Sequence, residues 1–457
     1  MNDRPPFSRR DIIRGVSTLG LAAAGFTAFP AFASDEDDYK ALVCVMLRGG
    51  LDNFDTVIPV DRGGYAAWSS RRVSLLERYA EVAGTSRDRA ALLPLPGAGA
   101  ENHGFVPEFA PLADLYSKGR LALVANVGPL MAPTTRQALE ADEVLQPPRL
   151  ASHSDQYAMW STLNLEGSNV GWGGRFLDRL AVTSPFSSIS FSGVQAIGQG
   201  SDVDQLALTG PRMANIPGLR QTPGRRSRPI DAIYRDHLIG NDHQHVDVLM
   251  RDVAREQSRA LQQAAFMRAI VHNNPIGNRV AIEGNGLSNA LAAVMSTIDA
   301  RSQHEAKRQV FVVSLNGFDT HRNEAETLPA KQRQVAEALS RFDAVLERQG
   351  YGDKVTTFTV SDFGRTLAAN ASGTDHGWGG HHFVMGGAVK GGRVIGQLTP
   401  PTLDHDQAWA RRGGLIPTIA IEQYGAALGR WFGVPASDMA SVFPNLGRFD
   451  ADAVDIF

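Results

Sequence analysis

The chain has 457 residues, 43% of them hydrophobic and 20% charged, which are the proportions of a folded globular protein and exclude global disorder. Its formal net charge of −3 gives no basic footprint for nucleic acid or an anionic membrane surface. A single cysteine, Cys44, excludes an internal disulfide.

The first 33 residues read as an address. "FSRRDIIRG" carries Ser8, Arg9 and Arg10, then Ile12, Ile13 and Arg14, and resembles a twin-arginine export signal. A mildly apolar stretch from Val16 to Phe29 follows and ends at Ala31, Phe32 and Ala33, a small-x-small pattern that places cleavage before Ser34. The stretch is short for a membrane span, and no later segment reaches the required apolar length. The expected mature chain, 34–457, is a single α/β domain, periplasmic or secreted, without a membrane span.

"ALVCVML" (41–47) is a continuous apolar run ending at Arg48, Gly49 and Gly50, the pattern of a buried strand entering a loop. There Cys44 reads as a small core residue. "RLALVANV" (120–127), "QVFVVSL" (309–315) and "KVTTFTV" (354–360) have the same form. "VPEFAPLADLYSKG" (106–119) reads as a helix ending at Gly119. Val335, Leu339, Phe342 and Leu346 recur at helical spacing between the last two strands. Strands that are apolar throughout, alternating with helices, predict a mostly parallel central sheet with helices on both faces.

Two regions break that rhythm. Residues 209–229 are rich in Pro, Gly and Arg and read as an exposed connection. A long helical stretch from Ile230 to Ile270 follows, with Leu249, Val253, Leu261 and Ala265 on one face, so 209–285 is expected to form a connection and a helical insertion. His237, His243 and His245 do not share one helix face and read as solvated. There is no G-x-S-x-G elbow, Walker loop, H-E-x-x-H, CxxC or G-x-G-x-x-G after a strand.

Ligands of open α/β sheets bind beyond the carboxyl ends of the strands. The first apolar run is followed by "RGGLDNFDT" with Asp52, Asn53, Asp55 and Thr56. "VFVVSL" is followed by "NGFDTH" with Asp319 and His321. "VTTFTV" is followed by "SDFGRT" with Asp362 and Arg365, then His376. Three strands thus bring carboxylates to one edge, where they repel unless a cation neutralises them. Carboxylate with imidazole suits zinc, manganese or iron better than calcium; zinc or manganese is the expected cofactor. Arg48 and Arg365 stand beside these carboxylates and offer planar forks for phosphate or sulfate, or salt bridges to Asp52 and Asp362. His381 and His382 precede an apolar strand and face opposite ways, so only one of them could be a ligand.

"LVCVMLRGGLDNFDTVIP", "SHSDQYAMW", "VGWGGRFLD", "FVVSLNGFDTH", "SDFGRTLAANASGTDHGWGGHHFVMGGAVKGG" and "IEQYGAALGRWFGV" resemble successive blocks of the bacterial domain-of-unknown-function family 1501, which is grouped with the alkaline phosphatase-like superfamily. The resemblance implies an alkaline phosphatase-like α/β fold with a bimetal site at the strand ends. It gives Asp52 the role of first-strand metal aspartate, Asp319 and His321 that of a middle pair, Asp362 that of a dyad aspartate and His376 that of a late metal histidine. The dyad histidine is replaced by Phe363, which cannot ligate. No Cys-x-Pro-x-Arg sulfatase signature is present, so the nucleophile candidates are Thr56, beside Asp52, and Ser152 or Ser154, beside His153; helix capping is the alternative for these serines.

The expected function is exported, metal-dependent hydrolysis of a small-molecule or glycan-linked phosphate or sulfate ester. The alternative is a non-catalytic metal-binding envelope protein acting with a protein partner.

Overall fold

A strand that is apolar throughout must be covered on both faces, and the first one is. In the computed structural model, which describes residues 38–163, 168–210, 248–272, 274–409 and 412–457, strand β1 (Lys40–Arg48) lies inside a nine-stranded sheet. The expected leader, most of the 209–229 connection and His237, His243 and His245 lie outside the described residues.

The other strands are β2 (Leu121–Gly128), β3 (Ser188–Ser190), β4 (Leu206–Ala207), β5 (Arg308–Asn316), β6 (Val355–Ser361), β7 (Gly380–Met385), β8 (Val394–Ile395) and β9 (Ile419–Ala420). Their order is β8-β2-β7-β6-β1-β5-β3-β4, with β9 also paired to β2. All pairings are parallel except those of β7, which runs against β2 and β6. The sheet is mostly parallel, as its apolar runs predict.

Alternation along β1 sorts the core into two layers. Ala41, Val43, Val45 and Leu47 point into one cluster, and Leu42, Cys44 and Met46 into the other. Of the helices α1 (Arg62–Ser70), α2 (Val73–Glu81), α3 (Ala110–Ser117), α4 (His153–Thr162), α5 (Trp172–Arg179), α6 (Val248–Val271), α7 (Gly286–Asp299), α8 (Glu324–Arg348) and α9 (Ile421–Phe432), the first cluster takes Leu112 of α3, Leu291 of α7 and Leu339 and Phe342 of α8. The second takes Trp160 of α4, Phe176 of α5 and Tyr424 and Leu428 of α9. Helices therefore cover both faces.

The reading of α6 needs correction. Leu249 and Val253 are exposed, and the buried positions are Ala254, Ser258, Met267 and Ile270. The helix packs on α7, and the expected stripe is turned outward at Leu249 and Val253.

Register fixes where the chemistry can lie. Arg48 of β1 pairs with Asn316 of β5, and Leu47 pairs with Ser361 of β6. The three central strands thus end level, and the loops that leave them begin at one edge. Because β7 runs the opposite way, its entry, with His376 just before it, reaches that same edge.

Candidate metal centre

The loops can crowd at this edge because β1 ends in glycine. Gly49 has φ +115°, and a Cβ there would lie 2.3 Å from the Asp319 backbone nitrogen, a contact no other residue type could make. Its N–H donates to Asp362 Oδ2 at 3.0 Å. The first strand therefore supplies the hinge point around which the Asp319 and Asp362 loops meet.

His153, Asp319 and His376 converge, each offering a ligand atom within 4.8 Å of the others. The distant ring nitrogen of each histidine is fixed. His153 Nδ1 lies 2.7 Å from Asp362 Oδ2, and His376 Nδ1 lies 2.8 Å from the Ala151 carbonyl. Since both oxygens can only accept, both Nδ1 atoms carry the proton and both Nε2 lone pairs face the centre. His153 Nε2 is buried with no hydrogen-bond partner and lies 3.5 Å from Asp319 Oδ2. His376 Nε2 lies 3.2 Å from Asp319 Oδ1. Two imidazoles and one carboxylate with an orphaned buried nitrogen among them form a donor set that fits zinc or manganese.

Electrostatics prepare the set. Burial pushes the Asp319 carboxyl up, but the Arg365 hydrogen bond and charge outweigh it and hold the group below the usual range, ionised. Burial, joined by the Arg365 charge, lowers His376 and keeps it neutral, the form that ligates.

His321 stands one step out. Its Nε2 lies 2.7 Å from His376 Nε2 and 3.2 Å from Asp319 Oδ1, and its Nδ1 lies 3.4 Å from Asp375 Oδ1. The first distance is that of a hydrogen bond, shorter than the edge of about 3.3 Å that a tetrahedral zinc sphere needs. With His376 Nε2 unprotonated, His321 Nε2–H donates to the same lone pair that would ligate, so a bound metal would take the place of this hydrogen bond.

Other expected residues are placed elsewhere. Asp52 is fully buried, gripped by Arg72 with Nη1 at 2.5 Å and Nη2 at 3.0 Å, and its Oδ1 also caps Phe54 N–H at 2.9 Å. A guanidinium thus neutralises the carboxylate expected to meet a metal. Thr56, also fully buried, donates to the Asp52 carbonyl at 2.6 Å, which is a core bond and no nucleophile's setting. Arg365 is fully buried: Nη1 reaches Asp319, Nη2 the Thr374 carbonyl at 2.7 Å and Nε the Thr374 hydroxyl. It stands behind the centre instead of facing a substrate. Asp362 orients His153 and is not among the converging ligand atoms. Arg48 bonds Gln195 at 2.7 Å and lies over the Tyr157 ring. Phe363 walls the centre, its ring 4.7 Å from that of His153 and 4.4 Å from that of His376. His381 accepts the Asn126 N–H, and His382 packs beside Trp160 and Tyr424; both are buried away from the cluster.

A cleft of about 670 Å³ opens on the centre, lined by Ala151, Ser152, His321, Asp375, His376 and Arg412 among others. Ser152 precedes α4, but its hydroxyl donates to Asp155 Oδ2 at 2.6 Å and caps no backbone N–H. Sequence reasoning placed His153 beside the serine nucleophile candidates in the catalytic set and overlooked Arg412. The signal for His153 was available in its position at the start of a helix; Arg412 lies in a loop with no motif around it.

The family model described as "Protein of unknown function (DUF1501)" matches residues 39–408. No curated protein matches the chain. Among solved structures, the chain is similar to the soluble domain of lipooligosaccharide phosphoethanolamine transferase A from Neisseria meningitidis, at 10% identity, covering 88% of this chain and 91% of that one with a TM-score of 0.33. It is also similar to a sulfatase from Pseudoalteromonas sp., at 11% identity over 87% and 68% with a TM-score of 0.33, and to a putative sulfatase from Bacteroides fragilis, at 11% identity over 89% and 77% with a TM-score of 0.32.

Proposed function

This chain belongs to the DUF1501 family of proteins of unknown function, and we propose that it is an exported, metal-dependent hydrolase of small-molecule or glycan-linked phosphate or sulfate esters. The observation that carries the reading is the convergence of His153 Nε2, Asp319 and His376 Nε2 beside an open cleft, with each imidazole's far nitrogen locked onto an acceptor.

A divalent cation held by these three groups would polarise an ester oxygen and lower the pKa of a water. The chain's own part is positioning. Asp362 and the Ala151 carbonyl hold the two rings in the ligating tautomer. Phe363 closes the apolar side of the centre against bulk water. His321 stands at the cleft wall with a proton on Nε2, within 3.2 Å of Asp319. Among the nucleophile candidates, Thr56 is in the core, Ser152 is committed to Asp155, and Ser154 is exposed with its hydroxyl 3.4 Å from that of Ser152, so water is the attacking group in this reading.

That same lack of an activated hydroxyl favours the second reading, a metal-binding envelope protein without catalysis. One experiment separates them. Metal-loaded protein should hydrolyse an aryl phosphate or aryl sulfate above background, and His376→Ala should abolish the activity. If no ester is turned over with zinc or manganese while metal is bound tightly, the binding-protein reading replaces the enzyme.

Export rests on the leader sequence, Ser8 to Arg14. Among the described residues no helix is long and apolar enough to cross a membrane.

A further inference from the structure

An oxyanion in this cleft needs a cation with donors facing solvent, and the buried arginines do not supply one. Arg365, Arg72 and Arg87 are each enclosed and committed to carboxylates. Arg412 differs. It lines the cleft beside His321 and His376, its side chain is 56% exposed, and its ion pair among the described residues is a single contact, Nη1 to Asp375 Oδ2 at 3.2 Å.

The backbone at Arg412 has φ +49°, the left-handed region that a non-glycine residue enters at a cost. The turn is held there by Ala368 N–H on the Arg412 carbonyl at 3.1 Å and by Leu367 N–H on the Gly413 carbonyl at 3.3 Å. Glycine would fit this conformation better than arginine.

We propose that Arg412 is the anion-binding residue of the cleft, its guanidinium fork taking oxygens of a tetrahedral phosphate or sulfate group on the substrate. The proposal rests on the ester reading above and adds the residue that recognises the ester's charge. A planar fork pairs with two oxygens at once. The arriving anion exchanges with Asp375 on the fork. Asp375 then keeps Asn370 Nδ2 at 3.2 Å and its own exposure to water, so its charge is not left bare.

The test is calorimetric titration of the metal-loaded full chain with inorganic phosphate and, separately, with inorganic sulfate. Arg412→Gln should weaken binding of the preferred anion tenfold or more without changing metal content. Arg412→Gly should lose as much binding while melting no lower than the parent, because glycine suits φ +49°. Arg412→Lys should retain part of the affinity. Parent-like anion binding in the Gln and Gly variants overturns the proposal, as does a parent that binds neither anion. Ester turnover with unchanged KM in Arg412→Gln sinks this inference and leaves the hydrolase reading intact. Arg412-dependent anion binding in a parent without turnover does the reverse.

Discussion

His153 reaches Asp362 through one hydrogen bond, Nδ1 to Oδ2 at 2.7 Å, and that bond decides which nitrogen of the ring faces Asp319 and His376. Asp362 Oδ2 also accepts from Gly49 N–H, so the carboxylate is oriented from the first strand while it orients the histidine. Outer partners of this kind set ligand basicity and ring direction. Asp362→Asn keeps an oxygen in place for both donors and removes the charge; metal affinity should fall about 10-fold. Asp362→Ala removes the acceptor that both donors share, and the loss should approach about 100-fold. Competition against a chromophoric chelator measures both. Parent-like affinity in Asp362→Ala would mean that His153 does not ligate.

Metal stoichiometry follows from what holds Asp52. Its partner is Arg72, and both are buried, so the place of a second cation is filled by a guanidinium. Elemental analysis after dialysis should find about one zinc or manganese per chain, lost in His376→Ala and His153→Ala. Asp52→Ala should keep the metal yet lose about 3–5 kcal/mol of stability, because Arg72 is then left buried without its carboxylate. Phe363→His should leave the count at one. Two metals in the parent would contradict the assignment of Asp52 to Arg72.

Glu324 connects this buried pair to the centre. It is fully buried at the start of α8 and accepts from Thr320 Oγ1 at 3.0 Å and Thr374 Oγ1 at 2.7 Å, one residue from Asp319 and two from His376 respectively. Burial, with the Asp52 charge beside it, pushes its carboxyl well above the ordinary range and so favours the protonated form. A carboxyl raised in the fold opposes folding as pH climbs above its unfolded value of about 4.3. Glu324→Gln should therefore be at least as stable as the parent at pH 7, with a smaller difference at pH 5, and should keep its metal. Glu324→Ala should loosen both loops and weaken the metal about 10-fold, an effect of the size seen for lost outer partners. A Gln variant that melts well below the parent at pH 7 would show Glu324 to be ionised.

The sheet was legible in the sequence because its strands are apolar on both faces, a pattern that side-chain identity alone records. The edge where Asp319, Asp362 and His376 gather was legible for the same reason, since parallel strands place their exits together. The partners were not. Nothing around Asp52 distinguishes a carboxylate facing a cation from one facing Arg72, twenty residues on in the chain, and only packing of α1 and α2 against the strand exit brings that guanidinium in. Arg365 was misread in the same way: its neighbourhood in the chain is polar and glycine-rich, but the Thr374 loop folds over it. The α6 stripe failed because the face that helix buries runs through Ala254, Ser258, Met267 and Ile270, while Leu249 and Val253 at its start lie exposed.

The proposed export rests on Arg9 and Arg10. Changing Arg9 and Arg10 together to lysine should leave the precursor in the cytoplasm with residues 1–33 still attached, as read by fractionation and by intact mass. Normal accumulation of cleaved protein outside the cytoplasm would sink the twin-arginine reading without touching the metal centre.

Acid should destabilise the fold through two histidines that never reach the site. His381 and His382 sit side by side on β7, both buried, and burial pushes the first down to about 4 and the second down to about 3. His382 Nδ1 has no hydrogen-bond partner, and its ring lies 4.9 Å from Trp160 and 6.0 Å from Tyr424. In the unfolded chain both titrate near about 6.5. Below that pH the unfolded state takes up protons that the native state refuses, so stability is full above it and falls as pH drops towards the folded values. Each histidine contributes a slope of about 1.4 kcal/mol per pH unit in that window. Asp52 and Asp319, both held below the ordinary carboxylate range, add a loss of the same sign at lower pH, so the histidine effect is best read between pH 6 and 4.5. Urea unfolding of the parent there should show the decline, and His382→Leu should remove that residue's own share, about 1.4 kcal/mol per pH unit, with the m-value unchanged. Equal slopes in parent and variant would mean that His382 is protonated in the native state, and with it that the niche between Trp160 and Tyr424 is open to water.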